Sequence, residues 1–244
     1  GEVSGTIDES IRHSMSKFAH YHFAANSDAC NRLIKMGEIT DRVFNVGCPS
    51  IDAIIDVKKD KDITKKYKLS TPYFLMIQHP VTTENSEAEY QIMQTLNAII
   101  ESKVNVLIIL PNNDAGYSKI ITKIKNSNIQ HVNTLSINDY VNLLKESSGL
   151  IGNSSSGIHE TATFNIPTIN IGTRQQGRLR PNNVIDVEHD IEQIKDAINQ
   201  CLIIKEQGFK FKNPYGDGKS ALRIVNLLKT IDISNKIIQK QITY

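Results

Sequence analysis

The chain is short of cysteine, of net charge and of long apolar runs, and each shortage closes off a class of protein. Its three cysteines, Cys30, Cys48 and Cys201, are odd in number and far apart, with no CxxC or Cys/His spacing among them. They offer neither a disulfide framework nor a zinc site, so a reducing cytoplasm is the expected compartment. No apolar run approaches the ~18 residues that a membrane-crossing helix needs, and the opening residues do not read as a signal peptide. With 28 Lys and Arg against 26 Asp and Glu, the formal charge is only +2. That is too little to draw the chain broadly to nucleic acid or to a membrane surface, and neither is expected as a partner. The lysine clusters at 58–66 and 205–212 are interrupted by acids and apolar residues and read as solvated faces. The histidines show no metal-ligand spacing. His20 and His22 would share one side of a strand, but two ligands do not complete a zinc site. No metal and no cofactor is expected.

At 244 residues, 39% apolar and 22% charged, the chain has a soluble globular composition and can bury one sizeable core or two small ones. It holds no internal repeat and no low-complexity segment. The opening GEVSGTIDES reads as the middle of a domain, a loop leading into a helix over 8–19 with Ile11, Met15 and Phe18 at helical spacing. A strand over 20–25 comes next, then a helix over 27–36, capped by Ser27 and stopped at Gly37. A strand over 43–46 and a helix over 50–57 follow, and 58–66 reads as a connector between domains. From residue 73 the alternation is regular. Strands over 73–77, 105–110 and 129–134 alternate with helices over 84–102, 116–127 and 136–147. A strand over 184–187 and helices over 191–207 and 219–230 end the pattern. Short apolar strands alternating with helices predict an α/β fold, a parallel sheet with helices on both faces. The domains so read are 1–57 and 67–230, with an uninformative tail over 231–244.

Between the last strands lies the stretch that organises the rest, residues 149–174, GLIGNSSSGIHETATFNIPTINIGTR. A short strand ends at Ile151, a small-residue turn follows, an amphipathic segment runs to Phe164, and a β-prone run over 168–171 closes a βαβ unit. The first N–H groups of a helix lack partners within it and carry the positive end of its dipole. Ser154, Ser155, Ser156 and Gly157 would let an anion approach them and would add hydroxyl donors. Glu160 lies one turn further on, where a carboxylate suits a neutral diol such as a ribose. The stretch therefore reads as a nucleotide diphosphate site. In a doubly wound sheet ligands bind beyond the carboxyl ends of the strands. His79, Asn112, the 153–157 turn and Arg174 all follow apolar runs, so the expected fold puts them on one rim.

The blocks GEVSGTIDESIRH, QHPVTTE, LPNNDAG, IGNSSSGIHET, INIGTRQQGR and NPYGDGKSALRI occur in this order from Gly1 to about Ile224. Together they resemble the hydrolysing UDP-N-acetylglucosamine 2-epimerases of sialic acid biosynthesis. The resemblance implies a GT-B-like architecture of two Rossmann-like domains. Residues 1–57 would be the C-terminal part of the first, catalytic domain, and 67–230 the UDP-binding one. It implies elimination of UDP from UDP-GlcNAc to a 2-acetamidoglucal and rehydration to N-acetylmannosamine. By the same resemblance Glu160 binds the ribose hydroxyls and Ser154 and Ser155 the phosphates. Tyr140 packs near the uracil, Asn112 lines the pocket and Arg174 completes its rim. Asp8 and His79 match residues implicated in the chemistry at the sugar. A homodimer or homotetramer is implied as well. Members of that family carry more chain ahead of the GEVSGT block, including two further catalytic carboxylates, so these residues alone are expected to support little turnover.

Other readings stay open at this point. They are a related hydrolysing 2-epimerase acting on a UDP-2,4-diacetamido-trideoxy sugar, a GT-B glycosyltransferase using UDP-GlcNAc, and a non-catalytic UDP-binding fragment. Free N-acetylmannosamine formed without an acceptor would exclude the transferase, against which the GEVSGTIDES and NPYGDG blocks already speak. Taken singly, each residue also has a plainer reading. Asp8 and the triple serine suit helix N-caps, His79 and Asn112 suit strand ends, Tyr140 suits the core and Arg174 the surface.

Overall fold

A computed structural model describes residues 1–6, 8–234 and 237–243 of the chain. In chain order the first elements are α1 (Asp8–Phe18), β1 (His22–Ala24), α2 (Ser27–Lys35), β2 (Val43–Asn45) and α3 (Pro49–Ile55). There follow α4 (Ile63–Lys66), β3 (Tyr73–Ile77), α5 (Ala88–Ser102), β4 (Asn105–Ile109), α6 (Tyr117–Asn126), β5 (His131–Val132) and α7 (Ile137–Glu146). The last are β6 (Gly149–Gly152), α8 (Ser156–His159), β7 (Thr168–Ile171), β8 (Val184–Val187), α9 (Ile191–Gln207) and α10 (Ser220–Leu228). The chain divides into two units. The first comprises residues 1–56, 176–179 and 213 onward, the second 57–175 and 180–212.

The second unit is a six-stranded parallel sheet in the order β5-β4-β3-β6-β7-β8. Counted from β3 this is 3-2-1-4-5-6, the doubly wound order of dinucleotide-binding folds. Every residue of β3 is buried, because successive side chains point to opposite faces and both faces are covered by helices. Phe74 and Met76 pack with Ile92, Leu96 and Ile99 of α5, Ile120 of α6, and Ile194 and Ile198 of α9. Tyr73, Leu75 and Ile77 pack on the other face with Leu143 and Leu144 of α7 and Ile63 of α4. A fully buried side chain of this size contributes about 2 kcal/mol of transfer free energy, so these two faces hold the sheet. Cys201 is part of the first face, and burial pushes its thiol up to about 12.

Several elements differ from those expected. The helix expected over 84–102 opens as a 3-10 segment, Thr82–Glu87, kinked at Glu84 (φ −120°, ψ 25°), and becomes α-helical only at Ala88. The segment after the serines is a four-residue helix, α8, followed by a 3-10 turn at Thr161–Phe164. There the Thr161 hydroxyl donates back to the Gly157 carbonyl at 2.8 Å, the local competition that ends helices at Ser and Thr. The strand expected over 129–134 contracts to the two residues of β5. Residues 58–66, expected as a connector, belong to the second unit. The Asn142 amide donates to the Lys58 carbonyl at 3.0 Å and accepts from the Asp60 N–H at 2.8 Å, and Ile63 is fully buried.

The first unit contains a two-stranded parallel sheet, β1 and β2, with the Phe23 and Phe44 rings stacked 5.9 Å apart. Its helix α2 is capped by Asn26 rather than the expected Ser27. The Asn26 Oδ1 accepts from the Ala29 N–H at 2.8 Å with Asn26 in extended backbone. Helix α10, expected within a second domain ending at 230, packs with the first unit. Asp52 caps it by accepting from the Ser220 and Ala221 N–H groups at 3.0 and 2.7 Å, and the Ser220 hydroxyl donates to the Gly47 carbonyl at 2.9 Å. Nor is the C-terminal tail featureless. Lys240 donates to the carbonyls of Ser16 and Lys17, at 2.8 and 3.0 Å, and to that of Ala19, thereby closing the end of α1. It also meets Glu38 at 2.6 Å.

Glu38 is 2% exposed and is held as well by Lys17 at 3.0 Å and His22 at 2.8 Å. Burial pushes its pKa up, but hydrogen bonds from Lys240, Lys17 and His22 outweigh that and hold the carboxyl at about 2. Folding thus lowers this pKa from 4.5, so the stability Glu38 adds is present above that value and is lost as pH falls toward 2. Glu38→Gln is expected to cost about 3 kcal/mol at pH 7 and to flatten the loss of stability between pH 5 and 2. Denaturant titrations of both proteins across that range check this, and equal slopes would contradict it.

Candidate functional site

Strands β3 and β6 lie side by side, in the register Ile77 to Gly152, while their connections leave toward opposite edges of the sheet. Such a switch point opens a crevice at the strands' carboxyl ends. Here it lies between Gln78-His79-Pro80 and the turn that begins at Asn153. Gly152 has φ +126°, and a Cβ there would stand 2.1 Å from the Ile77 carbonyl oxygen, so only glycine lets the two strands meet this closely.

Asn153, 1% exposed, fastens this crevice. Its Oδ1 accepts from the His79 N–H at 2.7 Å, its Nδ2 donates to the His79 carbonyl at 2.9 Å, and its own N–H donates to the Ile77 carbonyl at 3.1 Å. Its carbonyl accepts from Gln175 Nε2 at 2.7 Å and from Arg174 Nη1 at 3.2 Å. One residue therefore joins the loops after β3, β6 and β7.

Beyond it, the backbone N–H groups of Ser154 and Ser155 donate to no acceptor among the described residues, and both side chains are half-buried. They are free for an anion. Ser156 is already engaged: its hydroxyl donates to Glu160 Oε2 at 2.8 Å and meets the Tyr140 hydroxyl. Burial raises the Glu160 pKa against the opposing effects of Ser156 and His159, and burial likewise raises that of Tyr140. The Tyr140 ring packs against the β3–α7 core, which leaves its hydroxyl, relayed through Ser156, as the part that faces polar groups. Gly157 also has a packing reason to be glycine: its N–H donates to the Ser154 carbonyl at 3.1 Å, and a Cβ on it would stand 2.6 Å from Thr168 Cγ2, where α8 packs on β7.

On the other side of Asn153, His79 is half-buried and its Nδ1 lies 2.8 Å from Asn112 Oδ1 and 3.3 Å from the Asn112 N–H. A protonated Nδ1 would donate to the first and a bare Nδ1 would accept from the second, so Asn112 can hold either tautomer. Arg174 Nη2 stands 3.9 Å from Asp114. Burial first, and then the Arg174 cation, depress the His79 pKa to about 4, against the Asn112 hydrogen bond and Asp114. The imidazole is neutral at pH 7. A role as an imidazolium partner for phosphate requires a bound anion to raise it.

The structure thus gathers His79, Asn112, Ser154, Ser155, Glu160 and Arg174 around the loop ends of the second unit. Asp8 belongs to the first unit. It opens α1 with an exposed carboxylate that accepts from the Thr6 hydroxyl at 3.2 Å and stands 3.9 Å from Arg12. A cavity of about 330 Å³ in that unit is lined by Gly1, Arg12, Met15, Tyr21, His22 and Phe23, among others. Among the described residues no three His, Cys, Asp or Glu side chains come together as metal ligands, and no helix is long and apolar enough to cross a membrane. Asn153, Gln175 and Asp114 have no role that the sequence alone distinguishes. The only signal was their position just after apolar runs.

The UDP-N-acetylglucosamine 2-epimerase family matches the chain over residues 1–229. The chain is 35% identical to the UDP-N,N'-diacetylbacillosamine 2-epimerase (hydrolyzing) of Legionella pneumophila, over 98% of this chain and 65% of that protein. It is 34% identical to the UDP-N-acetylglucosamine 2-epimerase of Neisseria meningitidis, over 82% and 55%. It is 37% identical to the GDP/UDP-N,N'-diacetylbacillosamine 2-epimerase (hydrolyzing) of Campylobacter jejuni, over 79% and 54%. It therefore spans between 54% and 65% of the length of these relatives. Among solved structures, the Neisseria meningitidis UDP-GlcNAc 2-epimerase bound to UDP-GlcNAc aligns with a TM-score of 0.78 at 18% identity, covering 92% of this chain and 65% of that one. The Staphylococcus aureus MnaA structure with UDP aligns at 0.74 and 20%, covering 98% and 67%. The GT-B-like α/β fold is shared with them.

The half-buried, cation-flanked imidazole gives a direct prediction. In NMR titration of the ligand-free chain, His79 should titrate near 4 rather than at the ordinary 6.5, and saturating UDP should raise that value. A midpoint near 6.5 without ligand would contradict the geometry described.

Proposed function

The chain belongs to the UDP-N-acetylglucosamine 2-epimerase family, and from that premise we propose that it is the nucleotide-binding portion of a hydrolysing 2-epimerase that converts UDP-GlcNAc to N-acetylmannosamine and UDP. The observation that supports this reading is the Asn153 switch point, where Arg174 donates to the Asn153 carbonyl at 3.2 Å, the following Ser154 and Ser155 N–H groups donate to no acceptor among the described residues, and the Glu160 carboxylate lies one turn further on. The N–H groups and the guanidinium suit a diphosphate. Glu160, kept from the anion by its Ser156 hydrogen bond, suits the ribose hydroxyls.

The chemistry follows from where charge grows. A base takes the proton from C2 of the sugar, the C1–O bond to the β-phosphate breaks, and the electron pair of that bond leaves with UDP. Negative charge on the departing phosphate is met by Arg174 and the serine N–H groups, a preorganised stabilisation of the kind that dominates many enzymes. Water then adds its hydroxyl to C1 and a proton returns to C2 from the opposite face, which gives the manno configuration. Asp8 and His79 are assigned to this sugar chemistry by the resemblance, and His79 stands next to the phosphate-facing Arg174 in support. Tyr140, linked to Glu160 through Ser156, orients the ribose end. The protein works in the cytoplasm as a homodimer or homotetramer, as the resemblance implies, and needs no cofactor.

A second substrate is favoured by a specific observation: the Legionella and Campylobacter relatives, at 35% and 37% identity, carry the name of the diacetylbacillosamine enzyme. Incubating the complete protein with UDP-GlcNAc and with UDP-N,N'-diacetylbacillosamine, without acceptor, separates the two by NMR of the free sugar. A product still attached to UDP, or a need for an acceptor, would contradict hydrolytic epimerisation. On the chain itself, Glu160→Ala should weaken UDP about tenfold through loss of charge-assisted hydrogen bonds. Calorimetry reads this, and unchanged affinity would remove Glu160 from the site.

A further inference from the structure

The QHPVTTE block ends in Glu84, to which neither the resemblance nor the site described above gives a role. Glu84 sits at the kink of the 3-10 segment before α5, six residues from His79 in sequence. Its Oε1 accepts from the Thr173 hydroxyl, and its Oε2 accepts from Gln91 Nε2 at 2.6 Å. Gln91 is a buried residue of α5, so the carboxylate is tied to a rigid helix on one side and to the loop after β7 on the other. Thr173 immediately precedes Arg174. The next residue, Asn85, presses on Gly116: a Cβ on that glycine would stand 2.5 Å from Asn85 Oδ1, and Gly116 lies two residues from Asp114, which faces Arg174. His189, whose ring packs on Gly172, has both nitrogens buried without a partner, so no hydrogen bond from it competes for the carboxylate.

Strands β3 and β7 are not neighbours, since β6 runs between them. The Glu84–Thr173 contact therefore ties the segment after β3 to the loop after β7, across the strand between them. We propose that Glu84 is a positioning residue, which through Thr173 holds the Arg174 guanidinium over the Asn153 turn for the diphosphate of the ligand. This rests on the UDP-binding reading for its ligand, though not for the latch itself. A carboxylate near an anion site would ordinarily repel the ligand. Here both oxygens already accept, from Thr173 and from Gln91, which makes it a tether for the cation.

Two readouts test this on the chain as it is: the Kd for UDP by calorimetry and the His79 midpoint by NMR. Thr173→Val removes the hydroxyl at constant shape, and Glu84→Ala removes the acceptor. Each should weaken UDP about tenfold and raise the His79 midpoint above about 4, because the guanidinium is no longer held beside the ring. Glu84→Gln keeps an oxygen for Thr173 and should restore most of the affinity. Combined with Arg174→Ala, Thr173→Val should cost nothing further, since a tether has no effect once its cation is gone. Additive losses, or a Thr173→Val protein with wild-type affinity and an unmoved His79 midpoint, would overturn the proposal. If the unmutated chain fails to bind UDP, the nucleotide reading falls and the His79 midpoints alone decide the latch. A midpoint unmoved by Thr173→Val then overturns it, and a raised one upholds it.

Discussion

Everything at the crevice depends on one buried amide. A switch point separates two loops by construction, and the pairing of β3 with β6 ends at Ile77 and Gly152. Asn153 supplies the missing link by mimicking a further rung of backbone: its side chain pairs with both the N–H and the carbonyl of His79, while its carbonyl takes the Arg174 and Gln175 side chains. Leaving buried donors and acceptors of this kind unpaired costs about 1–3 kcal/mol each, so no residue without both an acceptor and a donor at that reach can replace it. His79 and Arg174 inherit their positions from this residue, and the serine N–H groups follow directly on from it.

The charges around that frame act on one another. Arg174 Nη2 stands 3.9 Å from Asp114, and the neighbouring imidazole is kept neutral by burial and by Arg174 itself. Glu160 accepts from the Ser156 hydroxyl, which also meets the Tyr140 hydroxyl. The Ser154 and Ser155 N–H groups beside it donate to no acceptor among the described residues.

How much of this was legible in the sequence follows from the range of each interaction. Strand β3 was expected over the residues it occupies, because five consecutive apolar residues admit few other placements. The rim was found because apolar runs end in polar residues at His79, Asn112, Asn153 and Arg174. Local competition was harder to see: α8 stops after four residues through the Thr161 hydroxyl, and α2 takes its cap from Asn26, one residue ahead of an equally suitable serine. Long-range ties were invisible. Helix α10 joins the first unit through Asp52, 168 residues away, and the tail is bound by Lys240 to Glu38 and to α1 carbonyls with no periodic pattern to announce it. The packing reason for Gly157 was invisible too, because its missing Cβ faces Thr168, a neighbour that only the folded βαβ unit brings near.

The proposed nucleotide site hangs on Asn153, which fastens the His79 and Arg174 loops through its own hydrogen bonds. The affinity of Asn153→Ala for UDP, measured by calorimetry beside a denaturation curve that verifies folding, addresses it most directly. The account predicts a folded protein whose UDP affinity falls at least about tenfold, because the His79 and Arg174 loops lose their common anchor. A folded variant that binds UDP as the unmutated chain does would contradict it.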